Sequence, residues 1–140
     1  MTDHAMPGTQ RRLAGKFAIV TASTAGIGLY TALRLLQEGA RVMISSRKQS
    51  SVDQALSFLR EQPHVDPSRV HGVVCHVGSP QQLEAMVQEA VRFARRTGNA
   101  SNADECIDIV VSNAAVNPAA GPILETDTAV IDKVLDINLK

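Results

Sequence analysis

The feature that most limits how this chain can fold is a regular change of hydrophobic period along its length. Short apolar runs at Phe17–Val20, Arg41–Ile44, Val70–Val77 and Ile107–Val111 alternate with longer stretches whose apolar residues recur every three or four positions. Short, continuously apolar, β-branched runs suit strands buried on both faces, and such strands are parallel. Parallel strands need crossovers, which the helix-period stretches supply. The first stretch runs from Ile27 to Gln37 and stops at Gly39; the second carries Val52, Ala55, Leu56 and Leu59 and stops before Pro63. Ser79-Pro80 places a cap residue ahead of a proline at the first helical position, opening a third helix through Val91. A last helix runs from Asp127 toward the C-terminus. Strand–helix alternation of this kind predicts an α/β fold with a parallel sheet.

The 140 residues, 44% hydrophobic, suffice for one domain with its own core. A formal net charge of +0 gives no overall field to attract nucleic acid or an anionic membrane. With 3% aromatic residues and no Trp, the chain also lacks platforms for stacking bases. Its apolar runs are too short to span a bilayer. Met1–Arg12 contains no apolar block, so it is not a secretory signal, and it matches a mitochondrial presequence poorly. It is expected to be a disordered leader ahead of a domain covering residues 13–140. The polar stretch Thr97–Glu105 reads as a flexible surface loop. Cys75 and Cys106 are not expected to form a disulfide inside a cell, and Cys75 reads as a small strand hydrophobe. On a strand, His71 and Cys75 would stand roughly 13 Å apart and Cys75 and His76 would point to opposite faces. No metal site is expected.

The most informative segment is Thr21-Ala22-Ser23-Thr24-Ala25-Gly26-Ile27-Gly28, between the first strand and the first helix. A turn at that place aims backbone N–H groups and the positive helix end at an anion. Gly26 would let a pyrophosphate approach the backbone, and Gly28 would let the helix pack close to its strand. On a strand–turn–helix that opens a βαβ unit, this pattern points to dinucleotide binding.

These residues resemble the phosphate turn of the short-chain dehydrogenase/reductase family, T-G-x-x-x-G-x-G, in Thr21, Gly26 and Gly28, with Ala22 in place of the first glycine. Ala22 would be tolerated if its φ is negative. Ser112-Asn113-Ala114-Ala115 is similar to the family's N-N-A-G, and Leu135-Asp136-Ile137-Asn138 to the segment carrying a catalytic asparagine at Asn138. Together with Ser45-Ser46-Arg47-Lys48-Gln49 and Cys75-His76-Val77, the set resembles a branch of NADP-dependent retinol dehydrogenases and carbonyl reductases found in peroxisomes. The resemblance runs from about Leu13 to the end, apart from Thr97–Glu105. It implies a Rossmann-type doubly wound parallel sheet, here truncated to the strand order 3-2-1-4 with flanking helices.

The resemblance also implies contacts to the cofactor. Thr21, Ser23, Thr24, Gly26, Ile27 and Gly28 would form the phosphate turn. In this fold the end of the second strand meets the adenosine ribose, where an acid selects NAD and a nearby Arg accommodates the 2′-phosphate of NADP. This chain carries Ser46-Arg47-Lys48 there, so NADP(H) is the expected cofactor. His76 and Val77 would border the adenine, and Asn113, Ala114 and Ala115 would lie against the cofactor.

Family chemistry is hydride transfer between a nicotinamide and a carbonyl or alcohol, using Ser, a Tyr-x-x-x-Lys pair and Asn. Tyr30, the single tyrosine, lies in the first helix with Leu33 and Arg34 after it; it reads as packing. Of the catalytic set only Asn138 is present, so these 140 residues are expected to be the NADP(H)-binding half of an oxidoreductase and inactive alone. The fourth strand and last helix are then expected to expose an edge and an apolar face. A non-catalytic NADP-sensing or interaction module is the alternative. The resemblance implies a small carbonyl or alcohol substrate and a homo-oligomer, dimer or tetramer, for the complete protein. The cytoplasm is the expected location, with peroxisome or mitochondrion left open.

Overall fold

The computed structural model describes residues 11–97, 106–116, 118–119 and 121–139. Four strands and four helices alternate: β1 (Phe17–Val20), α1 (Gly26–Gln37), β2 (Arg41–Ser46), α2 (Gln49–Arg60), β3 (Val70–Val74), α3 (Pro80–Thr97), β4 (Ile109–Val111) and α4 (Thr128–Asn138). Single helical turns at Pro67–Arg69 and Ile123–Glu125, which periodicity did not reveal, precede β3 and α4. The strands form one parallel sheet in the order β3-β2-β1-β4. That is the Rossmann-type architecture expected from the sequence.

Side-chain alternation on the central strands builds a core on each face of the sheet. Ala18 and Val20 on β1, with Val42 and Ile44 on β2, pack against Ala32 and Leu36 of α1 and Ala55 and Leu59 of α2. Phe17, Ile19 and Met43 point the other way, onto Met86, Ala90, Phe93 and Ala94 of α3. All four β1 residues are buried. They could not be polar without leaving a buried group unsatisfied, which is why the strand reads as unbroken FAIV. Phe17 meets Phe93 edge-on at 5.6 Å, and His71 stacks on the same Phe93 ring at 5.1 Å.

Some boundaries differ from expectation. β3 ends at Val74, not Val77, because the backbone N–H of His76 donates to Gln82 Oε1 (2.7 Å) rather than to a ladder. β4 starts at Ile109 because the Phe17 N–H, at the start of β1, donates to the Asp108 carboxylate (2.8 Å) rather than to a backbone carbonyl of the neighbouring strand; Lys16 Nζ binds the same carboxylate (3.2 Å). Of the expected leader, residues 1–10 lie outside the described residues, but Arg12 belongs to the domain. Its guanidinium donates to both oxygens of Glu38 at 3.2 and 3.1 Å, and Arg34 binds the same carboxylate. The hydrogen bond from Arg12 holds the Glu38 carboxyl below the usual carboxylate range. Of the expected loop, residues 98–105 also lie outside the described residues, whereas Thr97 closes α3 and accepts from Arg41 Nη1. Tyr30 is not buried: it is 62% exposed and touches Phe58 only edge-on.

Among the described residues β4 pairs with β1 alone; Val110 is 66% exposed and α4 has no buried residue. No helix among them is long and apolar enough to cross a membrane.

Asp108 ties the start of β1 to β4, and the Phe17 N–H, then desolvation-opposed help from Lys16, keeps its carboxyl below the ordinary aspartate range. A lowered folded-state pKa stabilises the fold above the unfolded value, near 3.9 for aspartate, and that contribution is lost as pH falls through the folded value. Asp108→Ala should therefore cost about 2 kcal/mol near neutrality, and the difference from wild type should narrow in acid. Urea unfolding at about pH 7 and about pH 3 checks this; an equal difference at both would contradict it.

Candidate functional site

The C-terminal ends of the four parallel strands share one edge of the sheet, and α1, entered from β1, packs on one face while α3, which leads into β4, packs on the other. A parallel sheet opens a crevice where its connections diverge in this way. Here the crevice is a cleft of about 590 Å³, walled by the turn after β1, the ends of β2 and β3, the segment after β4, and α4.

The turn after β1 is held from inside. Thr21 Oγ1 donates to Val111 O (3.4 Å) and accepts from the backbone N–H groups of Asn113 (3.1 Å) and Ala114 (3.2 Å). Asn113 Nδ2 donates back to Thr21 O (3.2 Å) and Ala22 O (3.0 Å). Ser23, fully buried, donates from Oγ to Val20 O (2.6 Å) and accepts from Ser45 N (3.3 Å). Ser45 Oγ in turn accepts from Ala22 N (3.3 Å). Thr21, Ser23 and Asn113 were expected to face a cofactor. Their polar atoms instead fix the turn to β2 and β4, so they shape the cleft without lining it.

Gly28 makes this clamp fit. A Cβ there would lie 2.5 Å from Asn113 Nδ2 and 2.9 Å from Ser23 Cα, a backbone atom that cannot yield cheaply. Gly26 serves differently: its φ is +56°, and a Cβ would meet no atom within 4 Å. Open space in front of a left-handed glycine at the head of a helix is what an approaching phosphate requires. Ala22 departs from expectation. Its φ is +49°, not negative, so an L residue occupies a conformation that costs about 1–2 kcal/mol.

Of the residues expected to meet a cofactor, Thr24, Ser46, Arg47, His76, Val77, Ala114 and Ala115 line the cleft. Gly26, Ile27, Gly28 and Lys48 do not; Gly26 and Ile27 border a shallow depression on α1 with Tyr30. His76 Nδ1 accepts the Gly78 N–H (2.9 Å), so the ring is fixed on its own turn. Sequence reasoning missed Ala22, Ala25, Cys75, Val116, Pro118, Lys133 and Ile137 on the walls. Lys133 and Ile137 share a helix face by their four-residue spacing, a signal that was present but had no partner wall to be read against. Cys75 is buried, and desolvation pushes its thiol up, which keeps it in the unreactive protonated form.

Asn138, expected from the resemblance to belong to the catalytic set, bridges α4 and the segment after β4. Its Oδ1 accepts from Val116 N (2.7 Å) and its Nδ2 donates to Val116 O (3.1 Å), binding α4 to the segment after β4. Both side-chain amide atoms are thereby occupied.

The electrostatics are one-sided. No Asp or Glu is among the described residues lining the cleft, whereas Arg47 and Lys133 both are. Such a cleft suits an anion.

Residues 16–140 match the family described as short chain dehydrogenase. The chain is 48% identical over 138 residues to dehydrogenase/reductase SDR family member 4 of Oryctolagus cuniculus, covering 97% of this chain and 48% of that one. It is 47% identical over 130 residues to tropinone reductase-like 3 of Erythroxylum coca, covering 93% and 45%. It therefore spans about half the length of the curated relatives it matches. A short chain dehydrogenase structure from Mycobacterium smegmatis superposes with a TM-score of 0.71 at 28% identity, over 92% of this chain and 48% of that one.

Two substitutions test the turn. Ala22→Gly should raise stability by about 1 kcal/mol, the left-handed strain relieved less the entropy a glycine adds to the unfolded chain. Gly28→Ala should lower it, because the new Cβ must displace Asn113. Thermal melts of both variants check the signs; destabilisation by Ala22→Gly would contradict the strain.

Proposed function

Because the chain belongs to the short chain dehydrogenase family, we propose that it forms the NADP(H)-binding half of an oxidoreductase that moves hydride between NADP(H) and a carbonyl or alcohol. The observation that carries the choice of NADP(H) is the acid-free end of β2, where Ser46 and Arg47 line the cleft. A carboxylate at this place would repel the 2′-phosphate; a hydroxyl can donate to it, and a guanidinium can bind it in a planar fork.

The fit of the remaining residues supports the reading. The pyrophosphate would lie before Gly26, where a Cβ meets nothing, and would face the N-terminal amides of α1. Val77 would border the adenine, and Ala114 and Ala115 would pass along the cofactor beside β4. The bound nicotinamide supplies or accepts the hydride. This chain's part is to hold the dinucleotide, orient it along the sheet edge and, through Asn138 on Val116, fix the segment that borders it.

The proton donor of the reaction is not among these residues. A tyrosine near pKa 10 needs a cationic partner to act near neutrality, and Tyr30, 62% exposed on α1, has none in a Tyr-x-x-x-Lys arrangement. We assign the acid/base step, the substrate pocket and the oligomer contacts to the rest of the complete protein. The names of the curated relatives support a reductase of ketone-like substrates, within the retinol and carbonyl reductase branch that the motifs resemble.

Calorimetry with the complete protein should give NADPH at least tenfold tighter than NADH, about 1.4 kcal/mol. The double substitution Ser46→Asp, Arg47→Asp should reverse the order. Equal affinity in the wild type would refute the assignment. The 140 residues alone should not oxidise NADPH with any ketone, aldehyde or diketone, because general acid/base help, typically worth 10²–10⁴-fold, is missing. Turnover at 340 nm that vanishes in Asn138→Ala would show instead that the active site lies within this chain.

A further inference from the structure

We propose that Lys133 is a second cation of the 2′-phosphate site, reaching that phosphate from the α4 wall of the cleft that Arg47 also lines. The proposal rests on the NADP(H) reading above and deepens it, by assigning cofactor selectivity to α4 as well as to the end of β2.

Lys133 and Ile137, one helical turn apart on α4, both line the cleft. Ile137 reaches across toward the turn after β3: a Cβ at Gly78 would stand 3.9 Å from Ile137 Cδ1. The helix therefore forms the wall facing His76 and Val77, and Asn138 holds it there through Val116. One turn back on the same helix, Lys133 lines the same cleft as Ser46 and Arg47.

Lys133 is exposed, and among the described residues no carboxylate pairs with it. Its own helix offers two acids, Asp132 and Asp136, yet neither forms an ion pair with it. Arg47 is likewise unpaired among the described residues. Two uncompensated cations thus border one acid-free cleft. A phosphate dianion gives both groups a shared partner. The guanidinium fork can take two oxygens, and the compact ammonium, on its flexible stem, can reach a third.

The test compares 2′,5′-ADP with 5′-AMP, which differ only in the 2′-phosphate, by calorimetry on the complete protein. Lys133→Met should weaken 2′,5′-ADP about tenfold and change 5′-AMP less than about twofold, while Lys133→Arg should keep most of the difference. Because the Lys133 side chain has no partner among the described residues, the melting temperature should not move. Lys133→Met that leaves 2′,5′-ADP unchanged, or weakens both nucleotides equally, overturns the proposal. Arg47→Met separates the two levels of the reading. Loss of the 2′-phosphate preference in Arg47→Met but not in Lys133→Met leaves the NADP(H) assignment standing and removes Lys133. A wild type that binds both nucleotides equally removes the NADP(H) assignment and Lys133 together.

Discussion

The reciprocal clamp between Thr21 and Asn113 is the contact on which the rest of the site depends. One hydroxyl takes two backbone N–H groups from the segment after β4, and one side-chain amide gives two hydrogen bonds to the turn after β1. Neither strand end supplies these partners from a ladder, because β1 ends at Val20 and β4 at Val111, before the residues concerned. Unpaired amides and carbonyls at that place would each cost roughly 1–3 kcal/mol if water were excluded. The clamp satisfies them and, in doing so, sets the separation of the two cleft walls. Gly28 is the condition for it, since any side chain there would stand where Asn113 is.

The same logic explains why so few residues of the phosphate turn touch the cleft. A turn that must present its backbone to an anion spends its side chains on being held. Thr21 goes to β4, Ser23 to β1 and β2, and Ser45 receives the amide of Ala22. What remains on the ligand side is small or cationic: Ala22, Thr24 and Ala25 on the turn, then Ser46 and Arg47. The left-handed Ala22 is the one strained residue in this arrangement, held by the surrounding hydrogen bonds in a conformation that a glycine would adopt freely.

How much of this was legible in the sequence follows from the range of the interactions. The strands and helices were readable because burial on both faces imposes unbroken apolar runs, as in Phe17–Val20, and because caps such as Asp127 and Ser79 act over two or three residues. Strand ends were not, since Val74 and Ile109 are set by Gln82 and Asp108, partners that periodicity does not register. The tie of Arg12 to the domain was unreadable for a similar reason: its partner is Glu38, 26 positions away. In the site, motif positions marked segments that border the cleft but not which way each side chain turns. Ser23 and Asn113 are polar residues near a presumed ligand, yet nearer backbone groups claim them. The sign of φ at Ala22 has no signature in a single sequence, and the α4 wall could be placed only once Asn138 was seen to bind Val116.

The central claim is that the cleft at the strand ends holds the dinucleotide, with its phosphates at the turn and its adenosine end between β2 and α4. Hydrogen–deuterium exchange of the complete protein, with and without NADPH, tests that most directly, because it reads backbone amides in place. NADPH should slow exchange at residues 22–28, 46–48 and 113–116, and leave the C-terminal turns of α3 unchanged. Slowing confined to other segments, with these three untouched, would contradict the account.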